Sequence, residues 1–148
     1  MKPTFGLTPG TSVLYLAPGA PRDEDYVFEY EHWHLILQPE KHRQKRGAAS
    51  GLLVAKREVM LVTDLTAEEW ADLAIVMRTA PQKLCDKAGV TFTGRFTGPA
   101  FNNGELAGQT QAQVQGHIYP VIEEDIPGEG VRNGIGAMVE AHREKYKR

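Results

Sequence analysis

Cysteine is almost absent from this chain: Cys85 stands alone among 148 residues, which excludes an internal disulfide and a cysteine-rich zinc site. Its apolar neighbours in a helical segment mark it as a core residue. A basic excess is also missing. Seventeen Lys and Arg face 19 Asp and Glu, for a formal net charge of -2, so the chain lacks the surface of a phosphate-tracking nucleic-acid binder, and no nucleic-acid partner is expected. No apolar run reaches membrane-spanning length, and the opening MKPTFGLTPG has no signal-peptide core. The expectation is a cytoplasmic protein with no membrane partner. Neither a helix-opening GxGxxG nor a GxxxxGK[ST] occurs, which removes the Rossmann and P-loop classes. No cofactor is expected.

What is present suits one domain. Hydrophobic residues make up 41% and charged residues 24%, ordinary for a globular chain long enough to bury a core. Residues 1–25 are rich in Gly, Pro and Thr and read as an irregular arm. Tyr26 to Leu37 (YVFEYEHWHLIL) is aromatic and β-branched, a strand or two strands joined by a bend. Gln38 to Ser50 reads as a basic loop carrying Lys41, Arg43, Lys45 and Arg46; it is either solvated or a mobile lid that brings positive charge to an anionic substrate. A further strand is expected over Leu52–Ala55, with extended chain on to Val62.

The clearest helix start is Asp64-Leu-Thr-Ala-Glu-Glu69, where Thr66 as N-cap and Glu69 three residues on make a capping box. Trp70, Leu73, Ala74, Met77 and Leu84 follow at helical spacing, and Gly89 ends the element. Pro81 predicts a kink or split near Thr79–Ala80. Thr91–Phe96 alternates as a strand. Glu123–Gly136 is an acidic, glycine-bearing loop, and a terminal helix is expected over 137–145. This order of elements predicts an α+β fold on an antiparallel sheet of about five strands. Both tryptophans, Trp33 and Trp70, read as core.

The segment richest in chemistry is NNGELAGQTQAQVQGHIYP, Asn102 to Pro120. Gln111, Gln113, Gln115, His117 and Tyr119 share one parity, so as a strand they line one face. A row of amides, an imidazole and a phenol is costly to bury without partners, and it reads as the wall of a polar site.

With these motifs the chain resembles the histidine-triad (HIT) superfamily. Asn102-x-Gly104-x-x-x-Gly108 and the gap-free Ala107-Gly108-Gln109-Thr110 precede a Q-x-Q-x-H strand where that family carries His-x-His-x-His. LLVAKREVMLVTDLTAEEW is similar to its LVxPKxHxxxLxDLTxEE stretch, with Lys56, Asp64 and Leu65 in register. Gly116-His117-Ile118-Tyr119 also looks like the HPHGQIW strand of the galactose-1-phosphate uridylyltransferase branch. The resemblance spans residues 26–122 and implies a single HIT-like domain over 26–148, with a homodimer as the common assembly. It places the three triad positions at Gln113, Gln115 and His117. The family's middle histidine is the nucleophile toward a phosphate; Gln115 has no usable lone pair on nitrogen and cannot attack phosphorus. By the same resemblance Asn102, Gln109 and Thr110 contact a substrate phosphate, and His34–Gln38, which contains no Asp, is the loose equivalent of the second-strand segment that meets the ribose, with His34 as the candidate contact.

Three functions remain open on the sequence. The first is a divergent hydrolase or transferase in which His117 is general acid and base toward a phosphorylated or nucleotide-like small molecule. The second is a non-catalytic nucleotide or phosphometabolite binder. In the third, His117 is itself the nucleophile after a two-residue register slip. His32 and His34 at i, i+2 have metal-ligand spacing, with His117 a third ligand, but no carboxylate accompanies them. The expectation is no metal.

Overall fold

The computed structural model describes residues 22–125 and 143–145. Residues 1–21 of the expected arm, the acidic loop after Asp125 and most of the expected terminal helix lie outside the described residues; residues 143–145 are helical. The elements run β1 (Tyr26–Glu29), β2 (Trp33–Leu37), α1 (Glu40–Arg46), β3 (Gly51–Ala55), α2 (Ala67–Ala88), β4 (Phe92–Phe101) and β5 (Gln115–Ile122), with short 3-10 turns at Val62–Asp64, Glu105–Ala107 and Glu123–Asp125. The five strands form one sheet in the order β1-β2-β3-β5-β4, every neighbouring pair antiparallel. The expected α+β architecture is the one observed. The Tyr26–Leu37 segment is indeed two strands joined by a bend.

α2 covers one face of the sheet. Its start is the predicted capping box: the Thr66 hydroxyl accepts from the Glu69 amide, and the Glu69 carboxylate accepts from the Thr66 amide. Its end is Gly89 in the left-handed conformation at φ 72°, which glycine adopts without a Cβ penalty. Trp33, Leu35, Leu53, Ala55, Ile118 and Ile122 of the sheet meet Leu73, Val76, Ala80 and Leu84 of the helix in one core cluster. Burying each of the larger side chains contributes roughly 1.5–3 kcal/mol. Cys85 is in this core, and burial pushes its thiol up to about 11.

Three expectations need correction here. First, the predicted apolar stripe of α2 is rotated. Leu73 and Leu84 point inward, but Trp70 and Met77 are 46% and 40% exposed and Ile75 is 56% exposed. Two stripes at helical spacing share Leu73, and the one through Val76 and Ala80 meets the sheet. Trp70 is therefore no core residue; its ring lies edge-on to Phe101 at the core's margin. Second, Pro81 does not divide the helix. α2 runs unbroken across it, with buried Ala80, Leu84 and Cys85 on either side holding the turn against the sheet.

Third, Gln38–Ser50 is not a plain loop. Pro39, with φ -55°, leads into seven residues of mostly good helix formers, acidic at the first turn and basic at the last, as the helix dipole favours. No residue of α1 is fully buried, so apolar periodicity gives no sign of it.

Candidate functional site

The polar site is built on the sheet face opposite α2. β5 pairs with β3 in continuous register, Val54↔Gln115, Leu53↔Gly116, Leu52↔His117 and Gly51↔Ile118. Gly116 and Ile118 turn to the core; Gln115, His117 and Tyr119 turn to the other face. Gly98 makes the neighbouring β4 fit. Its φ is +114°, and a Cβ there would lie 2.3 Å from the His117 carbonyl oxygen, so β4 approaches β5 this closely only with glycine at this position.

The polar ladder is shorter than its alternation predicts. β5 begins at Gln115, and Gln111–Gln113 are bends. The cause is a competing bond set. The Gln109 amide donates to the carbonyls of Met60 (2.9 Å) and Gln111 (2.8 Å) and accepts from the Gly104 amide (2.7 Å). The Val114 amide meanwhile bonds the Val59 carbonyl. Gln109, 3% exposed, thus braces the 102–110 loop against the chain before α2. Asn102 also bonds within the loop, to the Gly108 carbonyl, while Thr110 is exposed.

Gln113, Gln115 and His117, the positions the resemblance assigns to the triad, differ in surroundings. Gln113 is fully buried and donates to the Ala55 carbonyl at 2.7 Å. Gln115 is half-buried. The Oε1 atoms of both are buried and meet no hydrogen-bond partner among the described residues, two acceptors that a bound molecule or solvent can satisfy. His117 is 6% exposed, its Nδ1 3.4 Å from Gln38 Nε2. Ser50 Oγ donates to Gln38 Oε1 at 3.2 Å, which turns the Gln38 amide N–H₂ toward the imidazole. Burial first, then the positive charge of Arg46 and proximity to His42, push the His117 pKa down to about 4. The imidazole is neutral at pH 7, and its ring lies parallel to that of Tyr119.

His34 sits on the same face, in line with Gln115 through the pairings His34↔Val54 and Val54↔Gln115, roughly 10 Å away at two strand spacings. It is 1% exposed and paired with the Tyr26 hydroxyl at 2.7 Å. Arg22 and Lys56 hold Glu29 beside it, and burial pushes the Tyr26 phenol up to about 12. His32 is set apart from it. It precedes β2, its backbone N–H bonds the Asp72 carboxylate, and its ring lies near Glu31. Among the described residues no three His, Cys, Asp or Glu side chains form a metal-binding group.

The structure therefore brings Gln115 and His117 onto one face with His34, with Gln113 next to them. Asn102, Gln109 and Thr110 fall on the loop before β5. Gln38 lies at the end of the His34–Gln38 segment, but its role was not foreseen, and Ser50 was missed; the two flank α1 and organise His117. The parity His34–Ile36–Gln38 was the available signal for Gln38; Ser50 has none. No helix among the described residues is long and apolar enough to cross a membrane.

No family model matches the chain, and no curated protein matches it. Solved structures do. A C. elegans NitFhit protein is 26% identical over 93% of this chain and 31% of its own, with a TM-score of 0.54; the chain thus spans about a third of that protein. A HIT family protein of Bacillus anthracis is 18% identical over 95% of this chain and 100% of its own, at 0.54. A Plasmodium falciparum diadenosine triphosphate hydrolase, solved with Cyclomarin A, is 15% identical over 85% and 80%, at 0.52. The chain has the histidine-triad fold, as the resemblance implied.

Proposed function

We propose that the polar face of the sheet binds a phosphorylated, nucleotide-like small molecule without covalent nucleotidyl transfer. The observation that carries this reading is the triad strand itself. The resemblance assigns the middle triad position to Gln115, the β3–β5 register runs without a bulge, and an amide nitrogen cannot attack phosphorus. The unbroken register also weighs against His117 as a displaced nucleophile. What the face offers instead is hydrogen bonding: the amides of Gln113 and Gln115, the neutral imidazole of His117, and the 102–110 loop with Asn102 and Thr110, which Gln109 braces.

A second reading, a divergent hydrolase or transferase, has its own support. His117 is neutral at neutral pH, and with the Gln38 amide N–H₂ donating to Nδ1 its proton lies on Nε2, where it can be given to a leaving group as a general acid gives one. As a base, with a pKa of about 4, it is weak, so binding is the stronger proposal. We further propose that the molecule pairs as a homodimer, with exposed Trp70 and Met77, which share one side of α2 at i, i+7, as the surface that gains most from being covered.

The test combines calorimetric titration with adenosine monophosphate (AMP) and incubation with a dinucleoside polyphosphate. AMP is expected to bind, with no release of nucleoside monophosphate above the buffer control. Turnover that His117→Ala abolishes would show that the strand retains a working catalyst and would overturn the binding reading.

A further inference from the structure

α1 presents two faces. Glu40, Lys41, Gln44 and Lys45 are exposed, whereas His42, Arg43 and Arg46 are partly buried, the i, i+1, i+4 set of one inward face. Both ends of the segment are anchored beside the triad strand. Gln38 before α1 bonds Ser50 after it and reaches His117, and Ser50 leads directly into the pairing Gly51↔Ile118. The two inward arginines then differ. Arg43 is fully engaged, its Nε on the Gln38 carbonyl at 2.9 Å and its NH1 on the Ala48 carbonyl at 3.1 Å. Among the described residues Arg46 makes no hydrogen bond and no ion pair with a carboxylate.

A guanidinium stays charged at any ordinary pH, and partly burying one without an anion is costly. Complementing the helix dipole does not require that position, since exposed Lys45 in the same turn does so equally well. The charge of Arg46 reaches both aromatic groups on this part of β5, lowering the pKa of His117 and opposing the burial that raises that of Tyr119.

We propose that Arg46 is the anion anchor of the pocket, receiving a phosphoryl or carboxylate group of the ligand at the His117–Tyr119 end of β5. This rests on the reading of the polar face as a ligand site. It moves the anionic group away from the 102–110 loop, which lies toward the Gln113 end of the row. A planar guanidinium matches either anion through two parallel N–H donors. Gln113 and Gln115 are then left for the uncharged part of the ligand.

The test is calorimetric titration of the wild-type chain, Arg46→Gln and Lys45→Gln with four probes: AMP, adenosine, inorganic phosphate and acetate. Arg46→Gln is expected to weaken AMP binding by about tenfold or more while adenosine stays within about twofold, because only the charge-assisted contact is lost. Ligand-free melting temperature is expected to change little, since no bond of Arg46 among the described residues is removed, and Lys45→Gln, which removes the exposed charge of the same turn, is expected to leave AMP binding nearly intact. Whichever of inorganic phosphate and acetate binds the wild type more tightly identifies the anion. AMP affinity in Arg46→Gln within about twofold of wild type would overturn the proposal. If phosphate or acetate binds the wild type but not Arg46→Gln while AMP binds neither, the anchor stands and the nucleotide reading falls. If none of the four binds the wild type, both fall.

Discussion

The two faces of the sheet are buried to nearly the same degree, but only the one away from α2 sets buried histidine and amide side chains among its apolar ones. Trp33, Leu35, Leu53 and Ile118 on the α2 side are each 0% exposed; His34, Gln38 and His117 on the other side are 1%, 3% and 6% exposed. Area removed from water stabilises the first face whatever its exact contacts. The second must be satisfied atom by atom, by Tyr26 for His34, by Ser50 for Gln38 and by Gln38 for His117. Equal burial thus conceals unequal purposes. One face holds the domain together, and the other keeps polar atoms out of bulk water where a ligand can use them.

Substitutions that tell the faces apart fall in order of size. Leu53→Ala leaves a cavity between sheet and helix and is expected to cost about 3 kcal/mol of stability, read by chemical denaturation, with ligand binding per folded molecule unchanged.

The polar face is expected to show itself as pH dependence of similar size. Between about pH 6.5 and 4 an unfolded His117 takes up a proton that the folded imidazole refuses, so its share of stability is complete above about pH 6.5 and is lost as pH falls toward 4. That share amounts to about 3 kcal/mol over the interval. Unfolding measured across this range is expected to flatten in His117→Asn; an unchanged slope would show that the imidazole is not held neutral.

Gly98→Ala sits where the faces meet. Its Cβ would collide with the His117 carbonyl, and the expected loss is roughly 2 kcal/mol, accompanied by impaired ligand binding that Leu53→Ala does not cause. The smallest effect is expected at Trp70→Glu, within about 0.5 kcal/mol for the monomer because the side chain is already half in water. Sedimentation would show dissociation if α2 forms the dimer contact.

What the sequence disclosed depended on whether a signal was local. The capping box at Thr66 and Glu69, the Gly89 stop and the aromatic strands were legible because a few adjacent residues decide them. α1 was not, because its helix has no buried stripe and its inward side is arginine and histidine. The facing of α2 was misread because two apolar stripes fit one helix and only the sheet chooses between them. Parity located His117 and Gln115 correctly as neighbours. It overextended the strand to Gln111 because the bonds that bend the chain come from the Gln109 side chain to residues as distant as Met60. Which arginine of the basic segment is engaged by the described residues and which is not is a tertiary fact, invisible in composition.

Glu69 gathers three parts of the chain at one point. Its carboxylate caps α2 and holds Arg57 from the segment after β3, and its carbonyl accepts the Trp33 indole N–H from β2. The first turn of α2 therefore cannot fray alone, as helix ends usually do. Its amides are expected to exchange with solvent deuterium as slowly as those of the central strands, opening with the whole sheet as a single cooperative unit.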